Sequence, residues 1–420
     1  MKKYAFIVDP FSSGALYAEA LCKRGIIPVA VISHNPILNV YKESFRESDY
    51  QYIYTYHQNE EALFKALSNL LVNTKPVLIL AGAETGIELA DKLSEFFCPE
   101  LSNGSQLSIV RRNKYEMVEQ LRKNNIPAAA SIKSNDASEV LKWVKKLELL
   151  STGVVIKPLN SAGTDGVVAC FSESEIESAI NNSLGKINQF NYRNETILAQ
   201  EFLVGTEYVV DTASYAGKHH VTNICCYKKT TANGSKFVYD YLDFLPEKGS
   251  IQDELSEYAY QILNALGIKY GPAHSEIIYT NKGPRLVETG ARLHGGVAIP
   301  ACRLATGSSQ LDLSLDYILN HIILTNQINY ALKKFTRIVF LISHHENDVF
   351  GEHGNINNIR KLKSFTTLKL NIHPYDYLKK TIDLFSMPGL LILSHESAEQ
   401  VREDYETIRE FEKQGLFTFN

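Results

Sequence analysis

The sequence VVIKPLNSAGTDGV at residues 154–167 is the stretch that decides how this chain folds. A β-branched run ends at Lys157, a loop of small residues follows, and a second apolar run begins at Val167. This order predicts a hairpin with buried strands and a turn rich in backbone N–H groups. A lysine on a buried strand beside such a turn can hold anionic oxygens, so the stretch predicts a phosphate site. The alternative is an ordinary hairpin whose lysine extends to solvent.

Phosphate-binding loops of other classes do not match this stretch. Its lysine precedes the glycines and belongs to a strand, whereas GxxxxGK[ST] places the lysine after them at the start of a helix. Near the N-terminus, a turn at residues 12–14 could hold an anion at a helix start. That turn lacks GxGxxG, which argues against a nicotinamide site.

The composition narrows the class of partner. The 420 residues include 43 basic and 47 acidic side chains, a net charge of −4, which predicts no binding surface for nucleic acid or anionic membrane. The apolar runs are short and interrupted by charge, so no membrane span is predicted. The first residues enter a strand without a signal-peptide core. Six cysteines without CxxC spacing indicate reduced thiols, and we expect a cytoplasmic protein.

The order of apolar patterns predicts an α/β fold. A strand at 4–9, a helix at 15–23 and a strand at 27–33 form a βαβ unit, which predicts a parallel sheet. A further αβ unit ends in a helix at 87–97. Tyr/Val-rich strands follow the central hairpin, and the tail from about residue 330 alternates strands with a final helix.

Two groups of charged residues lie at predicted element boundaries. Glu84 follows the strand at 76–80, at the sheet edge where open α/β sheets bind ligands. A carboxylate that stabilises the next helix start is the alternative. Arg111, Arg112 and Lys114 open a predicted helix, an unfavourable place for three cations unless an anion neutralises them. This cluster predicts a phosphate contact, and a solvated charge run is the alternative.

A second hairpin is formed by GPAHSEIIY at residues 271–279 and PRLVETGARLHGG at residues 284–296. It places Glu276 opposite Glu288, with His274 on the face of Glu276, and with Leu286 and Gly290 on the face of Glu288. Facing carboxylates among apolar residues repel each other unless a cation lies between them. Hard oxygen ligands suit Mg²⁺ that is shared with nucleotide phosphates. Solvated glutamates are the alternative.

Other polar residues carry weaker signals. Arg292, four residues after Glu288, could clamp a phosphoryl group or a carboxylate. Glu207 starts a strand after a glycine, where its carboxylate could accept two sugar hydroxyls. Three histidines in a Gly/Asn-rich loop are expected to be solvated rather than to bind metal: His344, His345 and His353.

Taken in order, the motifs resemble those of the ATP-grasp superfamily, and more closely those of its L-amino-acid ligases. They are RRNKY at 111–115, VIKP at 155–158 with its loop, QEFLVGTE at 200–207, and Glu276 followed by VETGAR at 287–292. The resemblance covers nearly the whole chain. It implies a doubly wound parallel-sheet domain, a two-lobed ATP-grasp fold with antiparallel sheets, and a C-terminal αβ extension. The implied units are a Rossmann-like domain at 1–108, a small lobe at 109–205, a large lobe at 206–330 and an αβ subdomain at 331–420.

The resemblance also implies a role for each matched residue. Lys114 and Lys157 would hold phosphates, and the loop at 161–166 would close over them. Glu276 and Glu288 would ligate Mg²⁺, expected as two ions with Mn²⁺ as a substitute. Arg292, with Lys157 a catalytic residue, would stabilise an acyl phosphate and the tetrahedral intermediate. The remaining implied contacts are Ser161, Gly163 and Thr164 for phosphate, Gln200, Glu201 and Leu203 for adenine, Glu207 for ribose, and Glu84, His274, Gly290 and Arg292 for the amino-acid substrate.

One departure from the superfamily pattern affects the metal site. Gly290 stands where many ATP-grasp enzymes have a metal-binding asparagine, which leaves the full metal shell open. The catalytic base is also open at this stage, with His274 and Asp243 as candidates.

The activity implied is ATP-dependent joining of a carboxylate and an amine from two amino acids or analogues, through an acyl phosphate. ADP and phosphate would be released, and the resemblance further implies a homodimer. One alternative is an ATP-grasp ligase with another donor or acceptor, of the biotin-carboxylase or purine-biosynthetic type. The other is a non-catalytic nucleotide-binding module. The identity of both substrates stays open.

Overall fold

The computed structural model describes residues 2–34, 36–72, 74–161, 163–351 and 355–417. Within these residues the strands form three sheets. The first sheet is parallel, the second is antiparallel, and the third is antiparallel apart from one short strand. No helix in this described part of the chain combines the length and the apolar composition that a bilayer span requires.

The N-terminal sheet is covered by helices on both faces. Its four strands are parallel in the order β3-β2-β1-β4. Phe6 and Val8 pack with α2 and α3, whereas Ala5 and Ile7 pack with α1, so β1 is apolar at every position. The predicted doubly wound arrangement is confirmed. The elements are β1 (Tyr4–Val8), α1 (Leu16–Cys22), β2 (Ile27–Ile32), β3 (Tyr52–Thr55), α2 (Glu60–Leu71), β4 (Leu78–Ala81) and α3 (Ile87–Phe97).

The second sheet contains the stretch quoted at the outset. Its antiparallel strands lie in the order β5-β8-β6-β7, and Val154 pairs with Cys170 across β6 and β7. Val154 and Ile156 pack against α5 and α6, so Val155 and Lys157 point to the other face. The predicted hairpin is confirmed. The elements are α4 (Lys114–Lys123), β5 (Ser131–Ser134), α5 (Ala137–Lys146), β6 (Val154–Pro158), β7 (Val168–Cys170), α6 (Glu173–Ser183) and β8 (Ile197–Glu201).

The third sheet runs through the rest of the chain in the order β13-β12-β9-β10-β11-β15-β17-β16, with β14 beside β10. The strands after residue 330 therefore continue this sheet. Its elements are β9 (Gly205–Tyr215), β10 (Lys218–Ala232), β11 (Ser235–Phe244), α7 (Ser250–Ala265), β12 (Gly271–Thr280), β13 (Gly283–Gly290), α8 (Ala298–Thr306), α9 (Gln310–Asn320), β14 (Gln327–Ile328), β15 (Phe335–Phe340), α10 (Asn355–Ile359), β16 (Phe365–Leu370), β17 (Gly389–His395) and α11 (Ala398–Lys413).

Two hairpins contain the predicted lysine and glutamate site residues. The lysine hairpin consists of β6 and β7 with the loop at 161–166, and the glutamate hairpin consists of β12 and β13. In the glutamate hairpin, Glu276 pairs with Glu288 as predicted. The next pair is Ile277 with Leu286, so Val287 is the extra residue of a β-bulge. Leu286 therefore packs with Ile277 against α7. The predicted placement of Leu286 on the face of Glu288 is wrong, because the bulge interrupts the two-residue alternation.

Candidate active site

A cavity of about 640 Å³ lies between the second and third sheets. This volume is within the range of roughly 300–1,000 Å³ that is usual for small-molecule sites. Glu84 and Gly290 are not among its lining residues. The other residues to which the family resemblance gave a single contact line it: Lys114, Lys157, Ser161, Gly163, Thr164, Gln200, Glu201, Leu203, Glu207, His274, Glu276, Glu288 and Arg292. Residues from four distant segments of the chain thus meet in one space.

Lys157 is buried near the end of β6, and no carboxylate of the described residues is hydrogen-bonded to it. Its Nζ donates to Gln200 Oε1 over 2.9 Å, and Gln200 is held in turn by Ser131. Burial lowers the pKa of Lys157 to about 8, with a further contribution from the charge of Lys114. A buried ammonium whose bonded partner is a neutral amide is electrostatically poised for an anionic ligand.

The loop that follows Lys157 is shaped by left-handed backbone. Gly163, Thr164 and Gly166 have φ of +65°, +63° and +65°. Asp165 fixes one side of the loop by accepting hydrogen bonds from Ser161 Oγ and from the Gln189 N–H. Residue 162 lies outside the described residues. Turns of this kind expose successive backbone N–H groups, which suits a phosphate.

Lys114 links the lysine hairpin to the glutamate hairpin. Its Nζ lies 2.5 Å from the carbonyl oxygen of Ser161 and 2.6 Å from Glu288 Oε2. Helix α4 begins at this lysine because Asn113 caps it, accepting hydrogen bonds from the N–H groups of Tyr115 and Glu116. One ammonium therefore contacts both the loop and a carboxylate that the sequence proposed as a metal ligand.

Glu276 is held by a histidine from its own strand. His274 Nε2 lies 3.2 Å from Glu276 Oε1, and His274 Nδ1 lies 2.9 Å from Asp211 Oδ1. Burial opposes the charged form of His274, but these hydrogen bonds outweigh it and raise its pKa to about 9. Burial likewise opposes the Glu276 carboxylate, yet the hydrogen bond and charge of His274 lower its pKa to about 2. The glutamate is therefore ionised, as a metal ligand must be.

The carboxylates of the glutamate hairpin fit a hard cation. Glu276 and Glu288 both face the cavity, and each is balanced by a protein cation, His274 and Lys114 respectively. Carboxylate oxygens on neighbouring strands beside lysines match Mg²⁺ that arrives with nucleotide phosphates. Gly290 adds no ligand atom at the position of the usual asparagine.

Glu207 is engaged by a lysine that the sequence did not single out. Lys229 Nζ lies 2.8 Å from each carboxylate oxygen of Glu207 and stacks 4.4 Å from the ring centre of Tyr239. Burial raises the pKa of Glu207 despite the charge of Lys229. The predicted contact with ribose hydroxyls would use the lone pairs that Lys229 leaves open.

Glu84 and Gly290 lie together just behind the cavity wall. Glu84 Oε1 accepts from Arg112 over 3.0 Å, and Oε2 accepts from Arg292 Nε over 2.9 Å. Burial disfavours this carboxylate, but the charges of Arg292 and Arg112 outweigh it and lower the pKa of Glu84. A Cβ on Gly290 would lie 3.0 Å from Glu84 Oε2. The glycine thus makes room for the ion pair that orients Arg292.

Two sequence interpretations need correction. Arg111 was predicted to contact phosphate, but it is fully buried before α4 and bound to Asp91 at 2.7 Å and to the carbonyl of Leu266. It is therefore structural, because a buried guanidinium requires partners on all sides. Asp243 was a candidate base, yet both its oxygens accept from Arg337 at 2.7 Å and it does not line the cavity.

Two of the three loop histidines, His344 and His345, do not line the cavity. His344 is exposed and His345 is paired with Asp348 at 2.7 Å. His353 lies outside the described residues. The interpretation of His344 and His345 as solvated loop residues agrees with their exposure.

The sequence analysis missed a buried cluster behind the glutamate hairpin. Asp211 accepts from His274 through Oδ1 and from His294 through Oδ2, each at 2.9 Å. His294 Nε2 lies 3.2 Å from the hydroxyl of Tyr227. The sequence did contain one indication of this cluster: the alternation of side chains along β9 puts Asp211 on the same face as Glu207. His294 gave no local signal, since it lies in an irregular segment after β13.

Comparison with known proteins places this geometry in a family. A model described as ATP-grasp domain matches residues 150–301. Dapdiamide A synthase from Enterobacter agglomerans is 30% identical over 340 residues, covering 80% of this chain and 78% of that protein. The matched residues 150–301 include both the lysine hairpin and the glutamate hairpin.

Solved structures show the same fold. An L-amino acid ligase from Bacillus licheniformis superposes with a TM-score of 0.73 at 17% identity, covering 97% of both chains. The biotin carboxylase domain of 2-oxoglutarate carboxylase from Hydrogenobacter thermophilus, in complex with MgADP, superposes with a TM-score of 0.65 at 13% identity, covering 97% of this chain and 89% of that one.

The predicted fold class and family are confirmed. ATP with Mg²⁺ is the cofactor pair of ATP-grasp enzymes, and the residues around the cavity fit it. The chain belongs to the ATP-grasp superfamily, in the family of amide-bond-forming amino-acid ligases that includes dapdiamide A synthase.

Proposed function

We propose that this enzyme joins the carboxylate of one amino acid, or a close analogue, to the amine of a second one through an acyl phosphate. The observation that carries the proposal is the double contact of Lys114 with the Ser161 carbonyl and with Glu288. It brings phosphate-binding and metal-binding groups into one cavity. A carboxylate needs activation by phosphoryl transfer, because its oxygen is a poor leaving group.

The nucleotide end of the cavity is formed by β6, β8 and the start of β9. Lys114 and Lys157 would hold the phosphates, with Ser161, Gly163 and Thr164 of the loop closing over them. The backbone groups of Glu201 and Leu203 would contact adenine, with Gln200 nearby, and Glu207 would bind ribose. The orientation of Lys157 by Gln200 supports this arrangement.

Glu276 and Glu288 would hold Mg²⁺, and we propose two ions, with Mn²⁺ able to substitute. When bound, the metal offsets the charge that builds up on the transferring phosphoryl group. Release of Lys114 from Glu288 would leave its ammonium free for a phosphate oxygen. Lys114 would thus exchange Glu288 for a phosphate, and Glu288 would exchange Lys114 for the metal.

Arg292 lies between the phosphate end and the substrate end. Its Nε donates to Glu84, and its Nη1 donates to the Leu293 carbonyl over 2.8 Å. The remaining guanidinium nitrogen can stabilise the oxyanion that forms when an amine attacks the acyl phosphate. Through this ion pair, Glu84 and Gly290 would set the position of Arg292 against the substrate.

The loop at 161–166 would exclude water while the acyl phosphate exists. A Cβ on Gly163 would lie 3.0 Å from the ring of Phe385, so the C-terminal segment already packs against this loop. Hydrolysis of the acyl phosphate would waste ATP, which makes a closed loop necessary during turnover.

One part of the cavity lining is apolar. Val297, Met387 and Leu390 line the cavity there and belong to the same buried cluster as Phe340. An apolar wall favours an amino acid with an apolar side chain over a charged one. Such amino acids are therefore the first to test.

The test is phosphate release with ATP across pairs of amino acids, with mass spectrometry of the product. We expect release that needs two amino acids, ADP rather than AMP as the nucleotide product, and a dipeptide-like mass. Dependence on bicarbonate would instead indicate a carboxylase-type reaction and contradict the proposal. Binding of ATP without phosphate release for any pair of amino acids would point to a non-catalytic nucleotide-binding module.

We also propose four units, at 1–108, 109–205, 206–330 and 331–420, a homodimeric assembly and a cytoplasmic location. The unpaired state of the cysteines supports a reducing compartment. Limited proteolysis tests the units, since cuts are expected near residues 108 and 205. Light scattering tests the homodimer by measuring the mass in solution.

A further inference from the structure

The ligation step requires a group that accepts a proton. An amino acid near neutral pH carries an ammonium group, and only the neutral amine can attack the acyl phosphate. A positioned base typically contributes a factor of about 10²–10⁴ to such a step. This requirement follows from the proposed function.

The carboxylates around Arg292 are already engaged by cations. Glu84 is bound by Arg112 and Arg292, Glu288 by Lys114, and Glu276 by His274. An ion-paired carboxylate is a weak base, since its negative charge is stabilised by its partner.

His294 differs from these groups because no cation of the described residues is hydrogen-bonded to its outward nitrogen, Nε2. Its Nδ1 lies 2.9 Å from Asp211 Oδ2, which fixes the ring and places the proton on Nδ1. Its Nε2 therefore carries the lone pair, and the hydroxyl of Tyr227 donates to it over 3.2 Å. The cavity lining includes both His294 and Tyr227.

The neighbouring histidine shows why the roles of the two rings separate. The ring centres of His274 and His294 are 4.0 Å apart, and both rings are hydrogen-bonded to the carboxylate of Asp211. His274 donates through both nitrogens, to Asp211 and to Glu276, whereas His294 has an acidic partner at Nδ1 alone. Burial lowers the pKa of His294, and the charge of His274 adds to this effect. Among the described residues, three of the four ring nitrogens thus face a carboxylate, and the fourth, His294 Nε2, faces the hydroxyl of Tyr227.

We propose that His294 is the general base of ligation, with Asp211 as its positioning residue. The ammonium first loses one proton to solvent and so becomes the neutral amine. As the amine nitrogen bonds to the acyl carbon, a second proton passes from that nitrogen to His294 Nε2. The bond from the acyl carbon to the phosphate oxygen then breaks, and phosphate leaves with the electron pair. Asp211 stabilises the imidazolium, which later releases its proton to solvent.

The place of His294 in the chain supports this role. It follows Arg292 by two residues, so the group that holds the oxyanion and the group that takes the proton belong to one short segment. Gly295 and Gly296 follow and also line the cavity, and a Cβ on either would meet nothing nearer than 3.8 Å, so the cavity is open along this segment.

A bound metal is the competing use of this cluster. In the described part of the chain, Asp211, His274 and His294 form the group whose ligand atoms all lie within 4.8 Å of one another. Each Nδ1, however, is at hydrogen-bond distance from its own carboxylate oxygen, which favours protons over an ion between them.

The test compares two nucleophiles in His294→Asn, whose side-chain amide can still donate to Asp211. Dipeptide formation needs the base, whereas hydroxylamine is neutral at pH 7 and traps the acyl phosphate as a hydroxamate without one. We expect the rate of dipeptide formation to fall about 10²–10⁴-fold. Hydroxamate formation should stay close to that of the unaltered enzyme.

The matched control is His220→Asn. His220 is also buried, in β10 of the third sheet, and it is hydrogen-bonded to the hydroxyl of Tyr317 over 2.7 Å. Unlike His294, it does not line the cavity. Its replacement should leave the ratio of dipeptide to hydroxamate unchanged. If His294→Asn loses its cooperative thermal transition, His294→Gln takes its place in the same comparison.

Three outcomes would overturn the assignment. They are unchanged dipeptide formation, an equal loss of dipeptide and hydroxamate in the folded variant, and a stoichiometric transition metal that survives dialysis against EDTA and is lost with His294. Absence of any hydroxamate from the unaltered enzyme would instead refute the proposed function itself, and the assignment with it.

Discussion

The lysine hairpin and the glutamate hairpin line the same cavity, but their charged side chains differ in whether they are paired with an opposite charge. Lys157 is buried and donates to the neutral amide of Gln200, so its charge is not matched by a bonded carboxylate. Glu276 and Glu288 are each paired with a protein cation, His274 and Lys114. The charge of the lysine hairpin is therefore available for an anion, whereas the charges of the glutamate hairpin are already paired and would have to exchange a partner for a metal ion to bind. Substitutions in the two hairpins should have different consequences.

The largest effect is expected from breaking the glutamate hairpin with Glu276→Gln or Glu288→Gln. Loss of a metal ligand removes several kcal/mol of transition-state stabilisation, so turnover should fall about a thousandfold. Phosphate release with saturating ATP and Mg²⁺ measures it. Glu254→Gln is the control, since this glutamate binds Tyr279 of the same hairpin from the exposed side. Turnover within tenfold of the unaltered enzyme would exclude these glutamates as metal ligands.

A smaller loss is expected from Lys157→Met in the lysine hairpin. A hydrogen bond from a charged group contributes about 2 kcal/mol, so the Kd for ATP should rise about thirtyfold. Calorimetric titration with ATP and Mg²⁺ measures this change. Lys133→Met, an exposed lysine of β5 paired with Glu116, is the control in the same sheet. An unaltered Kd would mean that phosphate does not reach Lys157.

The unmatched charge of Lys157 also predicts a pH dependence. Its pKa of about 8 lies below the ordinary 10.5, so the cavity loses this positive charge as the pH rises through 8. The charged fraction at pH 9 is about one tenth, and the Kd for ATP should rise about tenfold between pH 7 and 9. Lys157→Arg stays charged and should lack this rise. A flat profile in the unaltered enzyme would contradict the low pKa.

The smallest effect is expected at the end of the glutamate hairpin. In Gly290→Ala the new Cβ would lie 3.0 Å from Glu84 Oε2, so Glu84 and Arg292 must shift. Such crowding costs about 1 kcal/mol, so the KM for the amino-acid substrate should rise about fivefold with the Kd for ATP unaffected. The shorter side chain of Glu84→Asp should relieve the crowding in the double variant. Additive effects of the two changes would show that they do not interact.

Much of the fold was predictable because it depends on local patterns. Helices α2 and α3 and the strands of both hairpins follow from apolar periodicity, caps and turns. Two short helices, α8 and α9, were not among the predicted elements. Helix α8 has only nine residues, and α9 begins with the sequence LDLSLD at residues 311–316, whose two-residue alternation is typical of a strand.

The candidate site was predictable in its residues and not in its contacts. Lys157, Glu276 and Glu288 were identified from sequence, and the structure brings them to one cavity. The ion pair between Lys114 and Glu288 joins residues far apart in the chain, and no local pattern reports it. Arg111 shows the converse, since its motif position suggested phosphate while its burial assigns it to Asp91.

The sequence by itself determined the order of motifs, the family they indicate, and the alternation that places Glu276 opposite Glu288. These features depend on neighbours a few residues apart, where backbone geometry fixes which side chains share a face. The tertiary structure alone decided which charges meet, where the bulge at Val287 turns Leu286 away, and that Asp211 joins two histidines from separate strands and loops. Such contacts depend on how distant segments pack, because hydrophobic burial brings them together without any specific local sequence signal.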